Sequence, residues 1–309
     1  MSEPLTLIAV PFLTVLEPAF RSGGLATARA WELSDAQRGR VRSIVHAGEI
    51  ALTPEFLESL PNLDLIACVS VGYDGVDVGW CRARAIEVTH ADGLNAEDVA
   101  DHAIGLMLSA WRDIPTFDRK VRDGRWVQEE RLAPQPSLGG RALGVVGLGH
   151  IGAAVARRAE AFRMRVRWWG PREKDAPWPR ADSLLDLARD SDVLVVCCRA
   201  EPSNRGVISA EVIEALGPGG VLVNVARGSL VDEDALIDAL NAGRLWRAAL
   251  DVFAQEPTPS ARWAATPNAV LTPHTAGSST EAIPLMVAQA VENVRRRLAG
   301  EPLLSPVPD

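Results

Sequence analysis

Residues 143–162 read LGVVGLGHIGAAVARRAEAF. A run of strand-forming residues passes through a Gly-x-Gly-x-x-Gly turn, at Gly147, Gly149 and Gly152, into an alanine-rich helix. Alone, such glycines often serve only tight turns. Between a strand and a helix each has its own task. The first permits the turn, the second lets backbone approach a pyrophosphate, and the third lets helix and strand pack closely. The helix N-terminus adds free N–H groups and the positive end of its dipole. The loop formed by Gly147, Leu148, Gly149, His150, Ile151 and Gly152 is therefore expected to hold a dinucleotide.

The next strand, RVRWW, ends in Gly170, Pro171, Arg172, Glu173 and Lys174. In this fold an acidic residue about twenty positions past the first glycine bonds the adenine ribose hydroxyls and favours NAD. Gly170 has no carboxylate to repel a 2′-phosphate, and Arg172 and Lys174 are placed to pair with one. A charge-assisted bond of about 1.5–3 kcal/mol is worth about ten- to a hundredfold in affinity. NADP(H) is thus the expected cofactor, with NAD possible. Glu173 between the two cations keeps open the plainer reading of solvated loop charges.

With 309 residues, the chain is long enough for two ordinary domains or one large α/β domain, and 47% hydrophobic residues supply their cores. A net charge of −8 argues against a general binder of nucleic acid or acidic membranes. Cys68, Cys81, Cys197 and Cys198 show neither CxxC nor Cys/His spacing, so they read as reduced, packed thiols rather than metal ligands. The opening MSEPLTLIAVPFLTVL lacks a basic leader and reads as a first strand. No apolar stretch approaches the ~20 residues needed to cross a bilayer. The cytoplasm is the expected address.

Short apolar runs alternate with helical stretches over the first 95 residues and again from residue 142, which predicts parallel, helix-covered sheets. Thr53 followed by Pro54 marks a helix start. LNAEDVADHAIGLMLSAWRDI, residues 94–114, is the clearest long helix, with Asn95 as its expected cap. It is apolar on more than one face, which fits either an interface or one well-packed core helix. Residues 122–143 are rich in Pro and Gly and read as a connecting loop. Arg163, Arg165 and Arg167 alternate with Met164, Val166 and Trp168, so one face of that strand is polar or its arginine stems snorkel outward.

Three stretches fall at the C-terminal ends of predicted strands, where open α/β sheets bind ligands. They are NVARGSLVDEDAL with Arg227, LDVFAQEP with Glu256, and LTPHTAGSS with His274. Singly, each residue has an ordinary structural reading: a turn cap, a loop acid, a core histidine. Together with a nicotinamide they suit reduction of a 2-oxo acid. That reaction needs a cation for the carboxylate and carbonyl, matched by the fork of Arg227. It also needs a proton donor for the nascent alkoxide, matched by His274. A carboxylate at Glu256 would raise the histidine pKa and hold its ring.

From SVGYDGVDV through NAEDVADHAIGLML, GVVGLGHIG, VLVNVARGSLVDEDAL and ALDVFAQEP to LTPHTAGSS, the chain resembles the D-2-hydroxyacid dehydrogenase family along nearly its whole length. Within it the chain is most similar to the NADPH-preferring glyoxylate/hydroxypyruvate and hydroxyphenylpyruvate reductases. The resemblance implies two doubly wound parallel-sheet domains, a Rossmann-type coenzyme domain over 96–282 and a flavodoxin-like substrate domain over 1–95 and 283–309, with the active site in the cleft between them. It implies that Arg227, Glu256 and His274 are catalytic and that Val71 and Gly72 hold the substrate carboxylate through backbone amides. Asp251 falls where the nicotinamide carboxamide binds, and Ala226 on the cofactor's path. A homodimer through the long helix is also implied. CCRAEPSN departs from the family's Pro-Leu-Thr pattern and puts Arg199 near the cofactor, as a phosphate contact or a replaced turn. The substrate's side chain is not legible, although Trp126 or Arg131 are candidates for the pocket. Two alternatives stay open: an NAD-linked dehydrogenase of the phosphoglycerate type, and a nucleotide-sensing binding protein without turnover.

Overall fold

Strand-forming runs bounded by glycine, proline and polar turns set the architecture, seen in a computed structural model that describes residues 3–128 and 131–308. The chain forms two compact units, one running to Asn95 and resuming at Ser278, the other spanning Ala96–Gly277.

In the first unit, β1 (Leu5–Ile8), β2 (Ala26–Arg29), β3 (Val41–His46), β4 (Leu65–Cys68) and β5 (Glu87–Thr89) form a sheet in the order β2-β1-β3-β4-β5. Every neighbouring pair is parallel. This is the flavodoxin-like order, with its switch point between β1 and β3. One face packs on Leu57 and Cys81 from short helices, the other on Phe20 and on Val287, Ala290 and Val294 of the helix Ala282–Ala299. Thr53 caps its helix as expected, accepting a bond from the Phe56 amide at 3.3 Å. The returning chain pairs Pro306 with Thr89 as an antiparallel bridge. It re-enters this unit at Ser278 rather than at 283, because Ser279 Oγ accepts from the Ala282 amide at 2.8 Å and so belongs to the helix it starts.

In the second unit, β6 (Ala142–Val146), β7 (Arg165–Trp169), β8 (Val193–Val196), β9 (Val221–Asn224), β10 (Arg247–Leu250) and β11 (Ala269–Leu271) run in the order β11-β10-β9-β8-β6-β7. All pairings are parallel. Arg180 bridges Trp168 in parallel beyond β7. Counting that bridge as a vestigial strand, the order becomes the Rossmann 3-2-1-4-5-6 with one strand appended. The helices Ala96–Trp111 and His150–Ala161 cover one face, and the helices Leu184–Arg189, Ala210–Leu216 and Glu233–Asn241 the other.

Two local expectations resolve differently. The arginines of β7 sit near the sheet edge, where Arg165 is exposed and Arg167 pairs with Asp190 at 2.5 Å, so polarity there blunts an edge. Asn95 does not cap the long helix. Its Oδ1 is buried and has no hydrogen-bond partner among the described residues, and the helix start carries instead the charges of Glu97 and Asp98 in its first turn.

Candidate active site

The glycine loop leaves β6 and opens the helix His150–Ala161, and each glycine is held to its place for a different reason. Gly147 has φ +91°, and a Cβ there would lie 2.5 Å from Cys198 Cα and 2.7 Å from its N. A Cβ on Gly152 would collide with the Gly147 carbonyl, so helix and loop touch through bare backbone. Gly149, the helix N-cap, meets nothing within 4 Å. The loop is therefore rigid at its two ends and open in its middle, beside a helix start, where the first N–H groups have no partner within the helix. Leu148 is buried, while His150 is exposed and Ile151 half-buried. This cradle fits a pyrophosphate.

Beyond β7 the cations divide. Arg172 is exposed and makes no side-chain hydrogen bond or ion pair among the described residues. Lys174 reaches back to the loop, donating to the Leu148 carbonyl at 2.7 Å. Arg180, which no sequence signal marks, donates to the Gly170 carbonyl from Nη2 at 2.8 Å and lies over the buried Trp168 indole at 5.9 Å. It braces the turn that carries Arg172. Arg199 is exposed in the segment after β8, its carbonyl held by Asn204 Nδ2 at 2.8 Å.

Arg227, Glu256 and His274 follow β9, β10 and β11. Asn224, buried at the end of β9, accepts from the Ala226 amide at 3.0 Å and donates to the Arg227 carbonyl at 2.9 Å, which fixes that turn. Arg227 Nη1 donates to the Ala226 carbonyl at 2.8 Å. Gly228 packs so closely on the Phe253–Ala254 backbone that no Cβ fits. A second tie comes from Glu233, buried at 5% exposure, which accepts from the Ala254 amide at 2.5 Å and from Arg262 Nε at 2.8 Å. Glu233 and Arg262 were not legible as a pair, because nothing in the sequence tells which distant loop a buried acid will meet.

Glu256 Oε2 lies 2.6 Å from His274 Nδ1, and each side chain is 33% exposed. Its other oxygen accepts from the Phe253 amide at 2.9 Å. Partial burial pushes the Glu256 carboxyl up, but bonds from the His274 ring and the Phe253 amide, with the charges of His274 and Arg227, outweigh it and hold its pKa below the ordinary value. The acid is thus ionised beside an imidazole, within the field of a guanidinium.

Asp251 directly follows β10. Its side chain is only 1% exposed. It accepts from Thr272 Oγ1 at 2.6 Å, the Thr275 amide at 3.0 Å and the Ala276 amide at 2.8 Å. Enclosed in this way, the carboxylate organises the turn around His274. His102, also unmarked in the sequence, lies 2.9 Å from Thr272 Oγ1.

In the first unit, Val71 and Gly72 follow β4, half-buried. The Val71 carbonyl accepts from His90 Nδ1 at 3.0 Å and the Gly72 carbonyl from Ser70 Oγ at 2.8 Å. Their amides have no acceptor among the described residues. Two free N–H groups on a braced turn suit a carboxylate.

Residues 104–276 match the NAD binding domain of the D-isomer specific 2-hydroxyacid dehydrogenases. The chain is 38% identical to glyoxylate/hydroxypyruvate reductase A HPR2 of Arabidopsis thaliana over 276 residues, covering 89% of this chain and 88% of that protein. It is also 38% identical to the hydroxyphenylpyruvate reductase of Plectranthus scutellarioides, over 88% of this chain and 87% of the relative. The structure of the NADPH-dependent glyoxylate/hydroxypyruvate reductase of Sinorhizobium meliloti, in complex with NADP and malonate, superposes with a TM-score of 0.91 at 35% identity, covering 99% of this chain and 97% of that one.

The loop geometry separates three chemically identical substitutions. Gly147→Ala combines a strained φ with a clash, so a loss of about 2–5 kcal/mol is expected in urea unfolding. Gly152→Ala should also destabilise, whereas Gly149→Ala should stay within about 0.5 kcal/mol of the parent. Equal losses at all three would contradict the assigned roles.

Proposed function

The chain belongs to the D-isomer specific 2-hydroxyacid dehydrogenase family, and on that premise we propose that it is an NADPH-dependent reductase of small 2-oxo acids of the glyoxylate and hydroxypyruvate class, yielding D-2-hydroxy acids. The observation that carries the reading is the 2.6 Å bond between His274 and an ionised Glu256 on loops locked to the Arg227 turn. An intact set of this kind favours turnover over a sensing role.

Gly147, Gly149 and Gly152 with the following helix start would hold the cofactor's pyrophosphate. Gly170, with no acid beside it, and the unpaired Arg172 would accept a 2′-phosphate, with Lys174 and Arg180 steadying the turn. When bound, the reduced nicotinamide supplies the hydride that reduces C2 of the oxo acid. The amides of Val71 and Gly72 hold the substrate carboxylate, and Arg227 binds the carboxylate and polarises the C2 carbonyl. Glu256 holds the His274 ring through Nδ1 and stabilises its cation, so that Nε2–H delivers the proton to the oxygen on C2. We also assign the protein to the cytoplasm, as a homodimer; among the described residues no helix is long and apolar enough to cross a membrane.

The reduction needs His274 protonated, so kcat/KM falls as pH rises through the histidine pKa. Glu256 favours the cation. Glu256→Gln should therefore move that falling limb to lower pH, besides lowering kcat by about ten- to a thousandfold. An unmoved limb, measured from pH profiles of NADPH oxidation with glyoxylate, would reject the pairing's role.

Cofactor choice is tested separately. Arg172→Ala should weaken NADPH about ten- to a hundredfold while leaving NADH nearly unchanged. Equal losses for the two nucleotides, read by fluorescence titration, would mean that Arg172 does not meet the 2′-phosphate.

A further inference from the structure

The helix Ala96–Trp111 buries a nearly continuous apolar surface, and His102 stands in it with its side chain 26% exposed. Its Nε2 lies 2.9 Å from Thr272 Oγ1 and 3.4 Å from Asp251 Oδ1. Proton counting settles the direction of these bonds. The Asp251 carboxylate receives the Thr275 amide on one oxygen and the Ala276 amide on the other. The Thr272 hydroxyl is 2.6 Å from the first of these oxygens and spends its single proton there. Thr272 Oγ1 is therefore an acceptor toward His102, and the imidazole proton sits on Nε2.

The turn so held is the one that carries His274. His274 has φ +52°, a left-handed conformation unfavourable for a β-carbon-bearing residue. Its amide donates to the Asp251 carbonyl at 2.7 Å and to that of Thr272 at 3.1 Å. Such a turn persists only where its surroundings over-determine it. Asp251 supplies that through both its carbonyl and its carboxylate, and Thr272 links the carboxylate to the long helix.

We propose that His102 is a positioning residue for His274. By donating Nε2–H to Thr272 it anchors the hydroxyl that donates to the buried Asp251 carboxylate and so fixes the Thr272–Ala276 turn. It touches neither substrate nor reacting atoms. The proposal rests on the reading of His274 as proton donor, although the turn it holds exists whatever the reaction.

The experiment uses the whole chain and two readouts. His102→Leu keeps bulk and removes the donor; His102→Gln restores an N–H. Thr272→Val removes the intermediary while leaving His102, so it serves should the leucine variant fail to fold. In nucleotide-free protein, hydrogen exchange at the Thr275 and Ala276 amides should quicken at least about tenfold in the Leu and Val variants and return toward the parent rate in the Gln variant. With NADPH and glyoxylate, kcat should fall about tenfold while KM changes less than about threefold, again rescued by Gln. Unchanged exchange in both the Leu and Val variants, or a Gln variant indistinguishable from Leu, overturns the proposal. Quickened exchange in the Leu and Val variants of a parent protein that never oxidises NADPH would uphold the positioning role and refute the oxo-acid reading instead.

Discussion

A carboxylate stripped of water must find donors, and that of Asp251 is almost wholly enclosed at the end of β10. Its donors come from the Thr272–Ala276 segment, so the charge is satisfied only when that segment folds back over the strand end. The resulting turn fixes His274, which meets Glu256, whose other oxygen is held by the Phe253 amide. The loop after β10 is in turn pinned by Gly228 and by buried Glu233. Three strand ends are thus tied by a few bonds running through buried acids. The exposed acid–imidazole pair is the visible end of that chain.

Much of this was legible in the sequence where the signal is local. Gly147 makes the turn, Gly149 leaves the backbone open and Gly152 allows close packing, because each of these is a property of one residue and its immediate neighbours. The parallel sheets followed from alternating strand and helix patterns, and Thr53 caps as its position before a proline predicts. The alternation of Arg163, Arg165 and Arg167 told only of a polar face or outward stems; that β7 lies near a sheet edge came from the fold.

What was not legible depends on long-range meetings. Asn95 has the right residue type for a cap, yet its buried Oδ1 has no hydrogen-bond partner among the described residues. The bonds that the Asp251 carboxylate accepts from the Thr275 and Ala276 amides have no local signal. Lys174 bonds the Leu148 carbonyl, and Arg180, ten positions past Gly170, takes the turn's own carbonyl. In each case composition gives the charge and only folding gives the partner. The same holds for His102, whose helical position reads as a flaw in an apolar stripe until Thr272 is seen beside it.

The proposed chemistry is tested most directly by isotope transfer. Hydroxypyruvate incubated with NADPH deuterated at C4 of the nicotinamide, on the transferred face, should give D-glycerate carrying one deuterium at C2. Formation of the L-isomer, or a product with no deuterium at C2, would contradict the account.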